Sequence, residues 1–99
     1  MILHRHVAEV PLEDDPLDPA DVVEGSPTTR WVELWSTPAG SSRGIWEITP
    51  GVVTDVEADE MFVVLSGRAT IEIGGGATLD VGPGDVVLLE EGARTTWTV

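Results

Sequence analysis

Between Pro50 and Glu91 the chain is cut at near-regular intervals by glycine-rich turns: Pro50-Gly51, Ser66-Gly67-Arg68, Gly74-Gly75-Gly76 and Gly82-Pro83-Gly84-Asp85. Apolar segments of about six residues lie between them, and this spacing predicts short antiparallel strands closing into a small sandwich or barrel. No segment sustains a helical period, and no apolar run reaches the eighteen or so residues that a membrane-spanning helix requires. The expectation is a single all-β domain.

Composition narrows the chemistry. The 99 residues contain no cysteine, lysine or tyrosine, which removes disulfides, thiolate metal sites, cysteine nucleophiles, Schiff bases and phenolic acids together. Eighteen acids against five arginines give a net charge of −13. Such a surface repels phosphate backbones and anionic lipids, so neither nucleic acid nor membrane is expected as a partner. The start, MILHRHVAEV, has no sustained apolar segment and does not resemble an export signal, which makes the cytoplasm the expected location.

In chain order, residues 1–10 alternate and predict a terminal strand. His4 and His6 would share one face of it, a spacing that can grip a metal but here reads better as a solvated edge. Residues 11–29 contain Pro11, Pro16, Pro19 and Pro27, and seven acids run from Glu9 to Glu24. They are expected to form an acidic loop that wraps the domain, with one helical turn at Pro19-Ala20-Asp21. The organisation is therefore 1–29, a terminal strand and wrapping segment, followed by 30–99, the barrel. Arg30–Ser36 and Arg43–Thr49 predict a hairpin carrying three of the four tryptophans. Those rings would either fill the core or stack on a ligand.

Glu60–Ser66 is apolar on both faces apart from its ends, which suggests a strand buried between two layers, the second supplied by another subunit. A homodimer is expected on that ground. Ala69–Ile73, Ala77–Val81, Val86–Leu89 and Arg94–Val99 complete the strands. In the last of these, alternation turns Thr95, Trp97 and Val99 inward and Arg94, Thr96 and Thr98 outward.

Two patterns within this rhythm resemble a known family. Glu60, six residues, then Gly67 is similar to the second half of the first cupin motif. Gly84-Asp85, four residues, Glu90-Glu91-Gly92, two residues, then Thr95 resembles the second motif. With Trp46-Glu47-Ile48-Thr49-Pro50-Gly51 before and Thr96-Trp97 after, the chain resembles small single-domain cupins of the RmlC-like type. These group with the ureidoglycine aminohydrolase and ethanolamine-utilisation cupins. The resemblance implies a jelly-roll barrel, an antiparallel double-stranded β-helix, usually dimeric, with a site inside the barrel mouth. It also implies chain running on past the motif tryptophan, of which two residues are present here.

Metal-binding members of that family carry His-x-His, three or four residues, then Glu, with a third His in the second motif. Here the first pair falls on Val53 and Asp55 or on Thr54 and Val56, and the third position is Thr95. Of four ligands only Glu60 remains. Asp55, Glu57, Asp59 and Glu60 put four carboxylates in six residues. Asp55 and Glu60, if both point inward, can act as a catalytic acid/base pair or form an all-oxygen corner for a hard divalent cation. The alternative is that Asp55, Glu57 and Asp59 lie on a solvated loop and only Glu60 is special. No organic cofactor is expected. Trp46, Phe62, Thr95 and Trp97 are the expected pocket residues, and an indole wall with a carboxylate at its base suits a small cationic or hydroxylated ligand. The same rings can equally fill the interior. Arg68 is expected at the surface. The readings that follow are a cupin enzyme using Glu60, a non-enzymatic small-ligand binder, and a dimeric structural module.

Overall fold

A computed structural model of the chain describes residues 4–99. Among the described residues all regular structure is strand apart from two single turns of 3-10 helix, and every strand pairing among them is antiparallel. The strands are β1 (Glu13–Asp14), β2 (Val22–Glu24), β3 (Thr29–Ser36), β4 (Ser42–Ile48), β5 (Val52–Val56), β6 (Glu60–Val63), β7 (Ala69–Ile73), β8 (Thr78–Val81), β9 (Val86–Leu89) and β10 (Arg94–Thr98). They divide between two compact units that alternate along the chain: residues 1–16 with 28–48, and residues 17–27 with 49–99.

The first unit is a three-stranded sheet ordered β1-β3-β4. The expected hairpin forms, with Trp31 opposite Trp46 and a register shift between Glu33 and Trp35. Trp31 is half-buried, but Trp35 and Trp46 are 51% and 45% exposed, so tryptophans do not uniformly fill a core here. The Arg43 guanidinium lies 4.3 Å from the Trp35 ring centroid. Gly44 has no room for a side chain, because the Val32 carbonyl and the Trp31 ring close over its Cα. Arg30 Nε meets Glu47 Oε2 at 2.7 Å across the hairpin.

Two expectations for the N-terminal region are corrected. Residues 4–10 are not a strand: Val7–Glu9 is a 3-10 turn, and His6 Nδ1 accepts from the Ala8 N–H at its start. That local bond gives the backbone an alternative to strand pairing. Met1–Leu3, the rest of the expected strand, lie outside the described residues. The acidic segment is not wholly loop either, since β1 pairs with β3 and β2 with β5. The turn at Pro19–Asp21 forms as expected, capped by the Asp18 carboxylate.

The second unit holds a five-stranded sheet ordered β2-β5-β10-β7-β8 and a two-stranded ribbon, β6-β9. Strand β10 is central, paired with β5 on one side and β7 on the other. The registers Val53–Trp97–Ile71 and Asp55–Thr95–Ile73 define one face of that sheet. Val53, Ile71, Thr95 and Trp97 on it are buried, while Arg94 and Thr98 on the other face are exposed. The alternation of β10 is as the sequence predicts. From the ribbon, Val87 and Leu89 are buried and Phe62 is half-buried.

The opposite face of the ribbon is not covered within the chain. Met61, Val63, Val86 and Leu88 are about half to three-quarters exposed, and Leu65 beyond the strand is exposed as well. Within one chain, the segment starting at Glu60 is covered on one face only.

Candidate functional site

The inner face of the five-stranded sheet becomes polar at one end. Past Val53 the inward positions of β5 and its extension are Asp55 and Glu57, two residues apart and therefore on the same side. The pairing of β5 with β10 continues beyond the strand itself: the Glu57 N–H donates to the Ala93 carbonyl at 2.9 Å, and the Gly92 N–H donates to the Glu57 carbonyl at 2.8 Å. These bonds carry the strand direction through Glu57 and turn its side chain into the protein, where the residue is only 5% exposed. Next, the Asp59 carboxylate accepts from the Glu91 N–H at 2.8 Å, fixing the turn that leads into β6. Glu60 starts β6 opposite Leu89, with Phe62 two residues along on the same face.

Three carboxyl groups thus gather at one edge of the interior. Asp55 and Glu60 are exposed, whereas Glu57 is enclosed. The Glu57 Oε2 atom is buried and has no hydrogen-bond partner. Burial, followed by the hydrogen bond and negative charge of Asp55 and by the charge of Glu60, pushes the Glu57 carboxyl up to about 8. Glu60 is raised in the same direction by burial and by the Asp55 charge. Neither is paired with an arginine among the described residues. At neutral pH Glu57 is therefore held as a neutral acid, as expected when acidic neighbours crowd a poorly solvated site.

Behind the carboxyls lie Thr95 and Trp97, both buried. The indole Nε1–H donates to Thr95 Oγ at 3.2 Å, and the Trp97 and Phe62 rings meet at 5.5 Å between centroids, tilted by 35°. Of the residues expected from sequence, Asp55, Glu60, Phe62, Thr95 and Trp97 all belong to the second unit. Trp46 belongs to the first, on the exposed part of β4. His4 and His6 are exposed and also in the first unit.

The alternative that left Asp55, Glu57 and Asp59 on a solvated loop does not hold for Glu57, which is enclosed. The available signal was the two-residue spacing from the inward Asp55. Arg68 is exposed as expected, its guanidinium lying against Gly82.

A model of the EutQ-like cupin domain matches residues 36–99. The chain belongs to the EutQ-like cupin family. An all-β, antiparallel jelly roll is the fold of this cupin, and its strands follow that class. No curated protein matches the sequence.

The histidine-rich metal set of other cupins does not fit these residues. Its positions here hold valine, threonine and aspartate beside Glu60, and among the described residues no three His, Asp or Glu side chains gather as metal ligands.

Proposed function

We propose that this cupin binds a small polar metabolite at the Asp55–Glu57–Glu60 edge of its interior and transfers protons on it with those carboxyls, without a histidine-held metal. One observation carries the reading: Glu57 is an enclosed carboxyl with an unpartnered oxygen, set beside two others. An enclosed polar atom without a partner is costly, and a carboxyl kept in that state beside like groups marks a candidate functional site. Glu57, held neutral by burial, puts a proton donor next to a second carboxyl, the pairing that general acid–base chemistry near pH 7 uses. Glu60, at the exposed rim, meets the ligand first. The Phe62–Trp97 pair supplies an apolar wall that orients it.

The second reading, a binder without turnover, keeps the same site. It is supported by the loss of the metal ligands that perform catalysis elsewhere in the family. A divalent cation held by Asp55 and Glu60 is a weaker version, since only two carboxylates are then engaged. For the assembly we propose a homodimer through the exposed apolar face of β6 and β9, and for location the cytoplasm, in keeping with a chain lacking cysteine.

A thermal-shift panel of small metabolites and divalent metals tests the site. A true ligand at ten times its Kd should raise Tm by about 5 °C or more in a domain of this size. Glu57→Gln and Glu60→Gln should each reduce that shift. A panel with no stabilising compound, or shifts unchanged in both variants, overturns the reading.

A further inference from the structure

The order of exposure around the three carboxyls has a direction. Asp55 and Glu60 face solvent, and the Glu57 Oε2 atom, enclosed and unpartnered, lies further in. A ligand approaching this edge therefore meets the Asp55 and Glu60 carboxyls before the enclosed Glu57 Oε2 atom, which has no hydrogen-bond partner. Anions are repelled at the rim. A compact metal ion finds no three ligands converging on one point. A neutral hydroxyl can satisfy one acceptor but leaves the crowding of negative charge unrelieved.

An organic ammonium group meets all of these demands. Its N–H donors can serve several separated acceptors at once, its charge offsets the carboxylates, and its carbon stem can lie against the Phe62–Trp97 pair, where a cation is also favoured by the ring faces. Resting on the reading of this edge as a small-ligand site, we propose that the edge formed by Asp55, Glu60 and the inner Glu57 is a receptor for a small organic ammonium ion.

The charged groups around Glu57 give the consequence for pH. Asp55 on β5 and Glu60 on β6 raise it, Asp59 is engaged with the Glu91 N–H, Arg94 is exposed on the outward face of β10, and β9 contributes Val87 and Leu89. With no cation facing it, Glu57 holds a proton until about pH 8. An ammonium ligand takes the place of that proton, so binding at pH 7 releases it.

The experiment is a titration of the full chain, carrying 13C-labelled glutamate carboxyls, with n-propylammonium, tetramethylammonium and the neutral isostere n-propanol at several pH values. Expected is tighter binding of n-propylammonium than of the alcohol by tenfold or more at pH 8, with the margin shrinking towards pH 5. At pH 7 the Glu57 carboxyl resonance should move to its ionised position on adding the amine and stay in place on adding the alcohol. Glu57→Gln, its fold checked by amide spectra, should lose most of the amine preference while retaining the alcohol. Amines that bind no better than the alcohol, or that bind with the Glu57 resonance unmoved, overturn the proposal. In that case binding of neutral polyols at the same edge leaves the small-ligand reading standing; binding of neither class removes both.

Discussion

Glu57 is where charge and burial conflict most directly. Its carboxyl is raised from about 4.5 to about 8 by enclosure and by its acidic neighbours. The folded state therefore holds a proton that the unfolded state has released throughout that interval. The resulting stability is complete below about pH 4.5 and is lost as pH rises towards 8. The loss proceeds at no more than about 1.4 kcal/mol per pH unit for a single group. Glu57→Gln should remove this slope, so denaturant melts between pH 5 and 9 should show the variant gaining on the wild type as pH rises. Trp97→Ala should cost about 3–5 kcal/mol by urea titration, because it empties a buried ring position against Phe62. Thr95 and Trp97 were legible in the sequence because strict alternation runs through Arg94–Val99. Glu57 was not, because four acids in six residues look like a solvated turn until the hydrogen bonds to Gly92 and Ala93 extend the strand beneath them.

Among elements, β10 carries the site because it is paired on both sides and keeps one face dry. The glycine-rich turns that made the strand rhythm readable are the ones that form. In the turn before β9, the Asp85 carboxylate accepts from the Gly82 N–H at 2.7 Å, with Gly84 at a φ of 89°. The hairpin of β3 and β4 was equally legible, but its close contact at Gly44 was not, since nothing in the sequence says which ring closes over which backbone. Gly44→Val should destabilise the β1-β3-β4 sheet by about 2 kcal/mol or more, because the new side chain meets the Trp31 ring and the Val32 carbonyl. Loss of tryptophan fluorescence dispersion on mild denaturation would report it. Strands β1 and β2 escaped prediction for a different reason: each is two or three residues long and is defined by its partner rather than by its own alternation.

At the scale of the whole molecule, a net charge of −13 keeps copies apart except where charge is absent. The outer face of β6 and β9 is such a place: Met61, Val63, Val86 and Leu88 form an exposed apolar cluster, with Leu88 at 74% exposure. Clusters of this kind mark contact surfaces. On the proposed homodimer, sedimentation at micromolar concentration should show two copies, and Leu88→Glu with Val86→Glu should give a folded monomer. A monomeric wild type would remove the proposal. The sequence signalled this surface through a strand greasy on both sides in a chain too short to cover both, although it could not say which of the two faces is left open.

The alternation of the two units along the chain bears on how the protein can be cut. The family match begins at residue 36, yet β2, at residues 22–24, pairs with β5 in the same sheet as the site. A fragment trimmed to the family boundary would leave one side of β5 with open backbone donors and acceptors, a template for any passing strand. Such a fragment should be sticky, and a peptide spanning residues 17–27 supplied in trans should close the β5 edge while β4, which loses β3 in the same cut, stays open.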